Sequence, residues 1–170
     1  MIAIVIKLVL VAVLVAADQG IKLWASASLQ PVTAMPLIPG IVELRFVLND
    51  GMAFSMLSGK QTFLIVVTSI ALLVVAYLLL CNKMFGKVGN AGLLLVLAGG
   101  IGNLIDRVLN GVVVDYINVL FMNFAIFNFA DICVCVGVAL LIVAALWETR
   151  QDEKTAKAGR QKETDAHEAD

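Results

Sequence analysis

Residues 61–81 read "QTFLIVVTSIALLVVAYLLLC", a run without one charged side chain. A helix that crosses the hydrocarbon core of a bilayer needs about 20 mostly apolar residues, and this run supplies them. Three more segments qualify, 2–24, 88–109 and 131–147, which predicts four transmembrane helices. Composition agrees: the 170-residue chain is 61% hydrophobic, with a mean hydropathy of +0.99. Soluble domains hold roughly 45–50% apolar residues. The first segment also resembles a cleaved signal peptide, since it has an apolar core and ends in "VAAD" (15–18), but Lys7 within it and its length favour a retained span.

The net charge of −1 is uninformative, whereas its placement is not. Lys83 and Lys87 lie between spans two and three, and Arg150, Lys154, Lys157, Arg160 and Lys162 follow span four, while the loop 110–130 has no basic residue. Basic residues collect on the cytoplasmic side, so both termini are expected there. The first outer loop holds only Arg45 and Lys60, and Lys22 and Arg107, at outer helix ends, are long enough to snorkel to the interface. The division expected is one domain over 1–148 and a polar tail over 149–170, "RQDEKTAKAGRQKETDAHEAD" from 150, which cannot bury an apolar face and reads as a frayed or disordered extension.

The loop 25–60 contains all three prolines, Pro31, Pro36 and Pro39, followed by "VELRFVLNDGMAFSM" (42–56). There Val42, Leu44, Phe46 and Leu48 alternate with Glu43, Arg45 and Asn49, which is strand periodicity. Asn49, Asp50 and Gly51 are turn formers, so a small β-structure is expected on the outer membrane surface between spans one and two.

Every acidic residue in or beside a span falls at an outer end: Asp18, Asp106, Asp115 and Asp131. Asn49, Asn103, Arg107 and Asn128 join the same layer, and Asn103, Asp106 and Arg107 share one helical face by their i, i+3, i+4 spacing. A proton or ion path requires polar groups through the membrane depth, and spans two and four carry almost none below this layer. Plainer readings exist for each residue. Asp131 can be a helix-start residue with Asn128 as its N-cap, Asp115 a water-exposed loop residue, Asp106–Arg107 a structural ion pair and Asp18 a helix end. Gly99, Gly100 and Gly102 read as close-packing positions. Convergence at one depth favours a site.

Cys81, Cys133 and Cys135 lie in apolar runs without CxxC spacing, and the one histidine, His167, is in the tail. Disulfide framework, zinc site and Ser–His or Cys–His catalysis all lose support. Two carboxylates held close at an apolar boundary share one proton and titrate apart. One then accepts a proton from water while the other hydrogen-bonds a scissile carbonyl. A helix N-terminus at Asp131 favours its charged form, making it the base and Asp115 the proton carrier. No metal or cofactor is implied.

These stretches resemble the lipoprotein signal peptidase family, also called signal peptidase II, up to about residue 148. The likeness is carried by "DQGIK" (18–22), "NDGMAF" (49–54), "GGIGNLIDR" (99–107), "VVDY" (113–116) and "FNFAD" (127–131), in this order around four spans. The resemblance implies an all-α membrane fold of four transmembrane helices with a small extracytoplasmic β-cradle. It implies an aspartyl endopeptidase of the bacterial inner membrane that cuts prolipoproteins before a diacylglyceryl-modified cysteine. Asp115 and Asp131 fall on the family's catalytic pair. Asp18, Lys22, Asn49, Gly51, Asn103, Asp106, Arg107 and Asn128 fall on positions that support the site or contact substrate. Expected partners are prolipoproteins and membrane lipids, with no nucleic acid, and a monomer is expected. The competing class is a non-enzymatic membrane subunit or transporter with structural or ion-binding aspartates.

Overall fold

The computed structural model describes residues 2–51, 59–81 and 86–167, with side chains described as far as Gln151 except that of Cys81. Residues 52–54 of the "NDGMAF" stretch, Lys83 and the side chains of the tail's later basic residues lie outside this range. The elements are α1 (Ile2–Leu29), β1 (Met35–Ile38), β2 (Val42–Asn49), α2 (Gln61–Cys81), α3 (Lys87–Asn110), β3 (Val113–Val119) and α4 (Phe129–His167). All four expected spans are helices long and apolar enough to cross a membrane. Beyond the fourth span the backbone of α4 continues helically to His167, where a frayed tail is the expectation from sequence. The tail's Ala, Glu, Lys, Gln and Arg are strong helix formers.

α3 is the central helix and packs against α1, α2 and α4. Its glycines make this possible. A Cβ on Gly92 would lie 2.7 Å from the Gly137 carbonyl of α4, one on Gly99 would strike the Ala130 carbonyl, one on Gly100 the Leu72 side chain, and one on Gly102 the Asp18 carboxylate. Small residues thus let the α4 backbone approach that of α3 and let side chains of α1 and α2 press against the bare helix on its other faces. Below the polar layer the core is apolar, built on Val11, Leu72, Leu79, Leu93, Leu97 and Ala98. Large side chains on the outer faces are bare, Leu73 at 71% and Leu109 at 74%, as lipid-facing residues are free to be. At the far end of α1, Lys7 Nζ donates to the Leu79 carbonyl at 2.7 Å and to Asn90 Oδ1 at 2.6 Å, closing the last turn of α2.

The sheet is antiparallel in the order β1-β2-β3. Pro36 sits in the edge strand β1, where a missing N–H is tolerated. β3 comes from the segment between α3 and α4 and lies outside the stretch whose alternation predicts a β-structure. Left-handed Gly111 (φ 71°) ends α3, its N–H bonding the Arg107 carbonyl, and turns the chain into β3.

A bulge corrects the expected facing of β2. Leu44 pairs with Ile117 and Val47 with Asp115, so residues 45 and 46 stand opposite one residue of β3. An extra residue reverses the alternation beyond it. Leu48, expected inward, is 53% exposed, and Asn49, expected on the face opposite Leu44, turns to Asp115. A second apolar cluster, Ala25, Leu29, Leu44, Val114 and Tyr116, joins the C-terminal turns of α1 to the sheet. The polar layer lies between the two clusters.

Candidate active site

Among the described residues, the buried polar side chains are Asp18, Lys22, Asn103, Asp106, Asp115 and Asn128. All belong to the one layer. The N-terminus of α4 organises it, because a helix leaves its first N–H groups without internal partners. Here each finds a different partner. The Phe129 N–H donates to the Tyr116 hydroxyl of β3 at 3.1 Å, the Ala130 N–H to Asp18 Oδ1 of α1 at 3.1 Å, and the Asp131 N–H to Asn128 Oδ1 at 3.0 Å. Asp131 Oδ2 returns a bond to the Asn128 N–H at 3.0 Å, completing a reciprocal capping box. The plain reading of Asn128 as an N-cap is therefore correct, and it does not exhaust either residue.

Asp115 comes to the same place through β3. Phe127 bridges Ile117 by two backbone bonds, of 2.8 and 3.1 Å, which ties the approach to α4 against that strand. Far from being a water-exposed loop residue, Asp115 is 3% exposed. Its Oδ1 accepts from Asn128 Nδ2 at 2.7 Å and its Oδ2 from Asn49 Nδ2 at 2.9 Å. Asp131 Oδ1 accepts from Asn103 Nδ2 at 2.8 Å.

Three asparagines thus hold two carboxylates, and none is free to flip. Asn49 Oδ1 accepts from the Gly51 N–H at 2.9 Å, Asn103 Oδ1 from Lys22 Nζ at 2.8 Å and Asn128 Oδ1 from the Asp131 N–H. Each of these partners can only donate. Every amide nitrogen is consequently turned to a carboxylate.

Behind the asparagines, Lys22 Nζ lies 2.9 Å from Asp18 Oδ2 and 2.9 Å from Asp106 Oδ2. The snorkelling expected of Lys22 does not occur: α1 runs seven residues further, to Leu29, and two buried carboxylates draw the ammonium inward. Asp18 is accordingly no helix end, and Asp106 pairs with Lys22 instead of Arg107. Gln19, which sequence reasoning misses, donates to Asp18, to the Gly102 carbonyl and to Asp106 Oδ1 at 3.2, 3.1 and 3.1 Å. Its place beside Asp18 in an apolar run is the available signal. Tyr116 is missed likewise.

Burial is the main cause that lifts the Asp115 carboxyl to about 6; the Asn49 amide opposes the rise, Asp131 adds to it and Asn128 opposes it. Between about pH 4 and 6 the folded protein then keeps a proton that the unfolded chain has released, so stability falls as pH rises through that window and levels off above it. The effect is on the order of 3 kcal/mol for a shift of about two units. Thermal unfolding in detergent at pH 4.5 and 7.5 is expected to show a drop in the wild type that is smaller in Asp115→Asn. An equal drop in both proteins would place the titration elsewhere.

Asp115 and Asp131 open on a cavity of about 700 Å³. α2 contributes Leu64, Val67, Ala71 and Val75, α4 contributes Ile132 and Val136, and the polar end is made by Asn49, Asn103, Arg107 and the two aspartates. Arg107 Nη2 donates to the Gly51 carbonyl at 3.0 Å, and its buried Nε has no partner among the described residues. Lys22, Asp18 and Asp106 do not reach the cavity wall. Among the described residues no three His, Cys, Asp or Glu side chains are grouped as a metal site.

An apolar cavity walled by α2, α3 and α4, polar chiefly at the end onto which two carboxylates open, is the make-up of a membrane-embedded aspartyl peptidase. Residues 10–147 match the family model described as signal peptidase (SPase) II. A lipoprotein signal peptidase of Lactococcus lactis subsp. cremoris (strain SK11) is 43% identical over 141 residues, 83% of this chain and 93% of that protein. One from Streptococcus pyogenes serotype M2 (strain MGAS10270) is 42% identical over 135 residues, 79% and 88% of the two chains. A solved bacterial membrane enzyme superposes with a TM-score of 0.77 at 34% identity, covering 84% of this chain and 88% of its own. The chain belongs to the signal peptidase II family. It is a multi-pass bacterial membrane peptidase that removes signal peptides from prolipoproteins, and the transporter or non-enzymatic reading of its aspartates is not favoured.

Proposed function

We propose that Asp115 and Asp131 are the catalytic pair and that the substrate is a prolipoprotein carrying a diacylglyceryl group on the cysteine that follows the scissile bond. The observation that carries this reading is the joint opening of both carboxylates onto the polar end of the apolar cavity between α2 and α4. A signal peptide and its neighbouring acyl chains match the apolar wall, and the peptide bond matches the polar end. Asp131, with a helix N-terminus behind it and donors on both oxygens, takes a proton from water as the oxygen attacks the carbonyl carbon. Asp115 gives its proton to the carbonyl oxygen. On collapse the C–N bond breaks, Asp131 protonates the leaving nitrogen and Asp115 recovers its proton from the tetrahedral hydroxyl. Asp18, Lys22 and Asp106 support this arrangement from behind the cavity wall, Asn49, Asn103 and Asn128 hold it directly, and Gly51 orients Asn49 and Arg107.

The test is incubation of the purified protein with lipidated and unlipidated forms of one prolipoprotein. Release of the signal peptide from the lipidated form alone is expected, and equal cutting of both would remove the lipid from the recognition. Arg107→Ala is expected to lower kcat/KM by roughly tenfold to a hundredfold, the worth of a charged hydrogen bond, because the guanidinium lies against the cavity where a substrate carbonyl would rest. Wild-type kinetics would leave it only the Gly51 contact.

The single domain is taken as 1–148, with 149–170 as an appended tail, and the working unit as a monomer. The basic residues flanking α2, α3 and α4 support cytoplasmic termini and a site at the outer face of the inner membrane. With Cys81, Cys133 and Cys135 replaced, a cysteine at 122 should react with an impermeant thiol reagent in intact spheroplasts, and one at 151 only after the membrane is opened. The opposite pattern would invert the topology.

A further inference from the structure

We propose that Lys22 is a positioning residue for peptide hydrolysis, acting through Asn103 on Asp131; the proposal rests on the catalytic reading of Asp115 and Asp131. An ammonium has three donors, and Lys22 has three acceptors within 2.9 Å: Asp18 Oδ2, Asp106 Oδ2 and Asn103 Oδ1. The two carboxylates fix where the nitrogen stands, and the third bond fixes which way the Asn103 amide faces. A flipped Asn103 would set its NH₂ against the ammonium and against Asn128 Nδ2, which now donates to Asn103 Oδ1 at 3.1 Å, and would set its oxygen against Asp131. Lys22 is 3% exposed and stands outside the cavity wall, so it does not touch substrate there. Its hydrogen-bonded route to Asp131 is the Asn103 amide, whose NH₂ keeps one oxygen of Asp131 engaged and leaves the carboxylate one orientation; its charge also acts through space on Asp115. A displaced general base loses rate steeply.

Lys22→Met alone would strand Asp18 and Asp106 without a cation, so the informative variant is Lys22→Met with Asp106→Asn. It conserves the buried net charge, and Asp18 retains its bonds from Gln19 and from the Ala130 N–H. In this double variant kcat is expected to fall roughly tenfold to a hundredfold with KM nearly unchanged. Wild-type kcat in the folded double variant would reduce Lys22 to a structural ion pair. A second measurement requires no lysine variant. In protein labelled with ¹⁵N-asparagine, the Asn103 side-chain NH₂ should stay a resolved, slowly exchanging pair in Asp131→Asn, because Lys22 still holds its oxygen. An averaged or fast-exchanging pair there would mean that Asp131 sets the amide, and would overturn the proposal. If neither variant folds, the same pair followed in the wild type on acidification gives the same two outcomes. Retained cleavage by Asp131→Asn is a separate result, which removes the catalytic pair and leaves the ordering of Asn103 by Lys22 to be judged on its resonance.

Discussion

Asp115→Asn and Asp131→Asn are each expected to abolish release of the signal peptide, a loss of roughly 10⁴-fold, since in the proposed mechanism each removes a proton transfer from both halves of the reaction. Substitution keeps side-chain volume and leaves one carbonyl oxygen that still accepts. At 115 that oxygen can meet either Asn49 or Asn128 but not both, and at 131 either Asn103 or the Asn128 N–H. One hydrogen bond is therefore lost, offset by relief from desolvating a carboxylate and from the mutual repulsion of two. Both variants should fold and insert. Effects of groups that act as a unit are not additive, so the double variant should be scarcely worse than either single one. The measurement is cleavage of a lipidated prolipoprotein alongside its capture by the same variants. Well-folded variants that bind without cutting are expected. Substantial proteolysis by either, or failure of both to fold, would show that these two carboxylates are not the catalytic pair.

How far the sequence reveals this site depends on which physical rule governs each residue. The spans are legible because membrane crossing demands long uncharged runs, and few other constraints produce them. The polar layer is legible for the converse reason, since carboxylates in such runs are expensive and stand out. β3 is hidden by the same composition. Its residues Val113 to Tyr116 are buried on both faces, so "VVVDYINV" shows no alternation, although its β-branched content and the preceding Gly111 are strand signals. The bulge in β2 has no signature in "VELRFVLN", yet it alone turns Asn49 toward Asp115. The general habit of long cations at helix ends points Lys22 outward. The local spacing points the other way: Asp18 and Lys22 are i, i+4 on one helix, and a paired cation has less reason to seek water. Gln19 and Tyr116 act through contacts with α3 and α4 that depend on packing, which no single stretch displays.

Asn128→Asp should cost turnover roughly a hundredfold or more and should separate two tasks that one side chain performs. As an N-cap, aspartate serves as well as asparagine, so the Asp131 N–H keeps its acceptor and α4 should begin where it does now. As a donor, aspartate fails. Its second oxygen would replace the Nδ2 that stands 2.7 Å from Asp115 Oδ1 and 3.1 Å from Asn103 Oδ1, placing acceptor against acceptor and a third carboxylate beside two that already share an apolar boundary. A proton held between residues 115 and 128 is no longer matched to the carbonyl oxygen of the substrate, and the pair loses its division into acid and base. Asn128→Ala is the comparison, because it gives up the cap at about 1 kcal/mol and the bond to Asp115 but adds no charge. At neutral pH the expected order of kcat is therefore wild type, Asn128→Ala, Asn128→Asp, although Asn128→Asp keeps the cap. Lowering the pH should narrow the gap between the two variants, since the carboxyl introduced at position 128 can, once protonated, again donate to Asp115. Wild-type turnover in Asn128→Asp would reduce Asn128 to a helix cap, while equal losses in both variants at every pH would show that the missing donor, and not the added carboxylate, is what the pair feels.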